Sequence, residues 1–280
     1  MLSYKHGFHS GNHADIIKHM TLCLMLRCLN RKEKPYIVID THSGSGLYRL
    51  DGFMAQKNQE FKTGIAKIAD NEKLKELVPE FYKVYEEANF EMKNAYPGSP
   101  FFESELARES DKLTFIDLHS GEFETLRSNF KKDPRINIQC RDGLEALNAL
   151  LPPTPRRGMV FIDPPYEDKS EYTDLVKAVK LGTRKWNTGI FVIWYPVLGK
   201  LRDHSKNITQ ELKRLNLPML QAELCVEPQD EEFGMCGSGM LILNYPYGLD
   251  EMLSPVIDEL YKSLGNKGGL ARLKVLNPLE

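Results

Sequence analysis

The chain has 280 residues, 41% hydrophobic and 27% charged, with a formal net charge of −2, which suits one large α/β domain carrying an insertion. No apolar run approaches the ~18 residues of a membrane span, the first residues lack a signal-peptide core, and a near-neutral chain excludes a protein that grips nucleic acid over its whole surface. Five cysteines with no C-x-x-C spacing point to reduced thiols in a cytoplasmic protein.

In chain order, residues 3–13 are polar, aromatic and glycine-punctuated and read as a loop; apolar spacing over 14–29 predicts a mostly buried helix. His9 and His13 have an i,i+4 spacing, but they precede the helical pattern and no carboxylate or cysteine completes a set, so no metal is expected. Residues 36–40 form a strand ending in Asp40, followed by the loop Thr41-His42-Ser43-Gly44-Ser45-Gly46, where glycines allow a cofactor close to the backbone. Neither G-x-G-x-x-G nor G-K-[ST] is present, which argues against a dinucleotide fold and a triphosphatase. Segments 60–69 and 73–94 are charged and amphipathic with a break at Pro79, giving a small helical insertion over 51–95. Tyr96-Pro97-Gly98-Ser99-Pro100 is a turn, with a helix after it.

Regular alternation then follows: strands at 113–117, 136–140, 159–163 and 189–195, each followed by a helix, then strands at 219–226 and 240–245 without a helix between them. A helix near 249–264 precedes a polar tail. This order predicts a seven-stranded, mostly parallel sheet with one antiparallel strand and helices on both faces. That is the Rossmann-like architecture of class I S-adenosylmethionine-dependent methyltransferases. The methyltransferase domain would comprise 1–50 and 96–280, and the insertion subdomain 51–95.

Acids follow the first four parallel strands: Asp40, Asp117, Asp142 and Asp163. Strand ends of such a sheet converge on one crevice. Asp117 would accept the ribose hydroxyls of bound adenosine and Asp142-Gly143 the adenine amino group. Asp163-Pro164-Pro165-Tyr166 could be a plain Asp-Pro turn; its place in the crevice makes it a clamp for a planar ring bearing an amino group. Tyr166 would stack on the ring, while Asp163 and the Pro164 carbonyl accept the amino hydrogens. Positioning and electrostatics would then lower the barrier without a metal, on a base that is unpaired or flipped. Lys5 with Lys18, Lys131-Lys132 and Arg156-Arg157 are candidate local contacts for nucleic acid.

The chain also resembles the RlmJ family. The resemblance is carried by residues 1–19 (MLSYKHGFHSGNHADIIKH), 40–48 (DTHSGSGLY), 96–100 (YPGSP), Asp142-Gly143, Ile162-Asp163-Pro164-Pro165-Tyr166, 193–196 (IWYP) and 237–240 (GSGM). It implies methylation of N6 of one adenine in 23S ribosomal RNA with S-adenosylmethionine. Asp163 is catalytic by that resemblance, and His19, His42, Ser99, Asp117, Asp142, Gly143 and Asp163 correspond to cofactor contacts. Tyr4 and Lys18 fall in the segment that lies by the substrate adenosine. His19, on its apolar helix, otherwise reads as a satisfied core histidine and Ser99 as a turn residue. A monomer is expected. Alternatives are methylation of DNA adenine, of guanine N2 in RNA or of protein glutamine on the same fold, a nicotinamide-dependent oxidoreductase, and a non-catalytic RNA-binding module. Asn244-Tyr245-Pro246-Tyr247 has a clamp-like composition but sits on the last strand and reads as structural.

Overall fold

The computed structural model describes residues 5–230 and 234–279. A 3₁₀ turn (His6–Phe8) leads into α1 (His13–Asn30), β1 (Ile37–Asp40), β2 (Leu47–Arg49), α2 (Phe53–Asn58), α3 (Ile65–Ile68), α4 (Glu72–Leu77), α5 (Pro79–Glu91) and β3 (Ala95–Pro97). There follow α6 (Ser99–Leu106), β4 (Lys112–Asp117), α7 (Ser120–Phe130), β5 (Ile136–Cys140), α8 (Gly143–Leu150), β6 (Gly158–Ile162), α9 (Ser170–Lys185) and β7 (Ile190–Leu198). The chain closes with α10 (Ser205–Lys213), β8 (Met219–Cys225), β9 (Met235–Leu243), α11 (Leu249–Leu264) and β10 (Leu270–Asn277).

The main sheet has the order β10-β8-β9-β7-β6-β1-β4-β5. β1 pairs in parallel with both β4 and β6, while β9 runs antiparallel to β7 and β8. The strand order therefore reverses beside β1, where open α/β sheets form their crevice. Along β1 and β6, Val38, Met159 and Phe161 face the core under α1, α6 and α11, and Ile37, Ile39, Val160 and Ile162 face that under α8, α9 and α10. Two buried faces explain why these strands read as continuous apolar runs.

The sheet has eight strands rather than seven. The segment read as a polar tail is β10, paired antiparallel with β8. As an edge strand it has one hydrogen-bonded neighbour, and Arg272 ion-pairs with the buried Glu223 of β8. One-sided contact leaves none of its residues fully buried, and Leu270-Ala271-Arg272-Leu273-Lys274-Val275-Leu276-Asn277 shows no strict alternation of apolar and polar residues, which hid its period. Around residues 51–95 the short strands β2 and β3 also went unread; they pair with each other, Tyr48 opposite Tyr96. Pro79 opens α5 at its first turn, which fits a residue without an amide donor. Ile65, Ile68, Leu74, Val78 and Phe81 from this region join the same buried cluster as α1.

Candidate active site

Asn12 starts α1, its side-chain oxygen accepting from the amides of Ala14 and Asp15 at 3.0 Å each. This cap fixes the first turns of a helix whose residues 14–26 are all buried, including the acid Asp15 and the bases Lys18 and His19. Lys18 Nζ lies 2.8 Å from Asp15 Oδ1 and 2.5 Å from Asp163 Oδ2, just past β6. Burial alone would depress the Lys18 ammonium; the two carboxylates more than reverse that and hold it above its ordinary value. Burial would likewise raise Asp15, but His6 and Lys18 hold it well below the usual carboxylate range. Asp15 Oδ2 completes the chain with His6 Nε2 at 3.0 Å and the Gly11 amide at 2.8 Å. Lys18 is thus a buried counter-ion for Asp15 and Asp163, not half of a surface basic patch with Lys5.

Two cavities meet at this ion pair. The first is lined by His19, His42, Ser99, Asp117, Asp142 and Gly143, all of them candidates read from the sequence or the resemblance. The second holds Tyr166 together with Tyr172, Trp194 and Pro196. His6, Lys18, Asp163 and Pro165 line both. Pro164 is buried and lines neither cavity; Tyr4 lies outside the described residues.

In the first cavity, Asp117 accepts from the amides of Gly44 and His119 at 2.8 Å, and burial raises its pKa. Asp142 caps α8 by accepting from the Glu145 amide at 2.9 Å. A Cβ on Gly143 would come within 2.0 Å of the Thr41 carbonyl, so glycine here lets two crevice loops touch each other, a tertiary reason that spacing does not reveal. Ser99 Oγ donates to Asp40 Oδ2 at 2.7 Å, which gives this turn serine a partner inside the crevice. Burial pushes Asp40 up to about 7, against the lowering effects of Ser99 and the His42 amide. Burial pulls His42 down to about 4 despite Asp163 and Asp142 nearby. His19 meets both of its readings: its Nδ1 is 2.9 Å from the Tyr96 hydroxyl, its ring packs on Phe102, and it lines the cavity.

Tyr166 has φ +53, a left-handed conformation that is an outlier for a bulky residue and costs ~1–3 kcal/mol. Its hydroxyl donates to the Trp194 carbonyl at 2.6 Å, and its ring packs at 4.6 Å from Tyr172. The turn after Asp163 is therefore held strained and pinned, with its aromatic face on the second cavity. Pro165 belongs to the turn read from sequence, whereas His6, Asp15 and Trp194 were not named there as site residues. His6 and Asp15 lie inside the stretch that carries the family resemblance, and Trp194 two residues before Pro196; nothing in their spacing marks them. Asn244 follows β9, an interior strand between β7 and β8, at the end of the strands away from the crevice, where it donates to the Asn187 and Gly189 carbonyls, a structural role.

A family model described as RsmJ, "Ribosomal RNA large subunit methyltransferase D, RlmJ", matches residues 33–276. The chain belongs to the RlmJ family. It is an RlmJ-family methyltransferase, so the oxidoreductase and non-catalytic readings fall. The "Ribosomal RNA large subunit methyltransferase J" of Haemophilus influenzae is 40% identical over 96% of each chain, and that of Escherichia coli 38% identical over 94% of each. A crystal structure of a Legionella pneumophila protein is 33% identical with TM-score 0.88, covering 95% of this chain and 98% of that one. Among the described residues of this RlmJ-family chain, no helix is long and apolar enough to cross a membrane. Nor do those residues hold a cluster of three or more groups suited to a metal ion.

Proposed function

We propose that this enzyme transfers a methyl group from S-adenosylmethionine to N6 of an adenine in 23S ribosomal RNA. The observation that carries the reading is the meeting of two cavities at Asp163, one rich in acceptors and one aromatic. The acceptor set fits the cofactor: Asp117 suits a ribose diol, Asp142 and Gly143 an adenine edge, and His19, His42 and Ser99 the remaining wall. When bound, S-adenosylmethionine supplies an electrophilic methyl on a sulfonium.

The chain's own residues do the rest by placement. The adenine amino nitrogen is a weak nucleophile because its lone pair is delocalised into the ring. Lys18 engages Asp163 Oδ2, so Oδ1 is the oxygen that accepts an amino hydrogen, with the Pro164 carbonyl as the second acceptor. Holding both hydrogens favours a pyramidal nitrogen whose lone pair faces the first cavity. Tyr166, with Tyr172 and Trp194 beside it, supports the base, which has to be flipped out or already unpaired to get there. Residues 51–95 form a helical insertion on a methyltransferase domain made by 1–50 and 96–280. All five cysteines are free and four are buried, which supports a cytoplasmic setting.

The test offers labelled S-adenosylmethionine with protein-free 23S RNA, assembled ribosomes, DNA and protein extract. Label is expected in RNA as N6-methyladenine; label only in DNA or protein overturns the reading.

A further inference from the structure

The second cavity has a volume of about 460 Å³, more room than one purine ring fills, and its wall changes character along its length. Near Asp163 it is aromatic, with Tyr166, Tyr172 and Trp194; away from it the wall is polar, with His9, Asn12, His13, Glu60 and Thr63. Most polar groups at that far end are already engaged. His9 Nδ1 lies 2.8 Å from Glu60 Oε1, and Asn12 donates to Glu60 Oε2 at 2.9 Å while its oxygen caps α1. Thr63 donates to the Glu60 carbonyl at 3.0 Å. His13 is the exception: its Nε2 is buried and has no hydrogen-bond partner among the described residues.

Leaving such a group unpaired is costly, and a ligand that supplies a partner recovers the loss. Burial lowers the His13 pKa despite Glu60 and Asp15, so the ring presents a neutral edge, suited to the edge of a base rather than to a phosphate. The wall is also rigid. Ile65 donates to the Gly11 carbonyl at 2.8 Å, and a Cβ on Gly64 would come within 2.0 Å of that same oxygen. The segment after α2 is thereby clamped to the start of α1.

We propose that the far end of this cavity is a second subsite, which takes the nucleotide adjoining the target adenine and hydrogen-bonds it through His13. The inference rests on the reading that an RNA adenine occupies the aromatic end; a nucleotide drawn out of its stack carries its neighbours to the same opening. It also gives residues 51–95 a part in the reaction, since Glu60 and Thr63 build the wall of the subsite.

The test uses hairpin fragments of 23S RNA with an abasic ribose immediately 5′ or 3′ of the modified adenine, and the wild type with His13→Ala and His13→Gln. One of the two abasic RNAs is expected to raise the wild-type KM about tenfold, the loss of roughly one hydrogen bond to a buried partner. His13→Ala should raise KM on intact RNA by a similar factor and add nothing further on that abasic RNA, since both changes remove one contact. His13→Gln, which can still hydrogen-bond, should restore most of the loss, and cofactor affinity by calorimetry should match wild type. The proposal is overturned if neither abasic RNA alters the wild-type KM, or if the losses from His13→Ala and the abasic site are additive. Wild-type enzyme that methylates none of the RNAs refutes the substrate reading instead.

Discussion

The two ends of the parallel strands treat the same residue type in opposite ways. At the end away from the crevice, Asp111 just before β4 accepts from the backbone of Tyr36 and Arg108 and from the Arg108 guanidinium, all at 2.9–3.0 Å. Burial would raise its pKa, yet those bonds hold it below the usual range. Beside it, Arg108 and Arg157 donate to the carbonyls of Lys32, Lys34 and Leu29 and lie over the Tyr36 ring. Arg157, read from sequence as part of a nucleic-acid patch, is thus spent on closing the chain after α1. At the crevice end, Asp40 and Asp117 are raised by burial, and among the described residues no cation is bonded to either. At one end the carboxylate is ion-paired; at the other, Asp40 and Asp117 accept only from neutral donors and Asp163 is the aspartate that holds a cation, Lys18, a mixture that suits a binding site.

The largest expected effect breaks the crevice end. Asp163→Ala should cut single-turnover methyl transfer by at least ~10²–10³-fold, the usual cost of removing one group placed for the transition state. Much of the cofactor affinity should remain; retained turnover removes Asp163 from the mechanism. Next, Lys18→Met leaves the buried Asp15 and half-buried Asp163 carboxylates without their shared cation, and should lower stability by about 3–5 kcal/mol in denaturant titrations. A loss below 1 kcal/mol means that the pair contributes little to folding.

The smallest effect sharpens the contrast between the two ends. Asp40 titrates at about 7 in the folded chain against an ordinary 3.8, so between those values the unfolded state ionises first and stability falls as pH rises. Asp40→Asn should flatten that decline across pH 4–7. Asp111 has the opposite sign: its folded pKa is lowered, so its contribution is present above the unfolded value and lost as pH falls through the folded one. Asp111→Asn should therefore cost most stability at neutral pH and progressively less on acidification. Parallel pH profiles of the two variants refute the contrast.

Much of this was legible along the chain. The parallel strands showed as short β-branched runs, the helices as apolar periodicity, and the crevice as an acid placed after each of four strands, because period and strand-end position belong to neighbouring residues. Of the site residues, Asp117, Asp142 and Asp163 could be placed that way, whereas His19, His42 and Ser99 needed a family resemblance. Only the tertiary structure decided the rest. Lys18 meets Asp163 across 145 positions, and Gly143 owes its lack of a side chain to Thr41 in another loop. β10 became a strand because β8 offered it an open edge. Each depends on register and packing between distant segments, and no local pattern encodes which buried charge will find which partner.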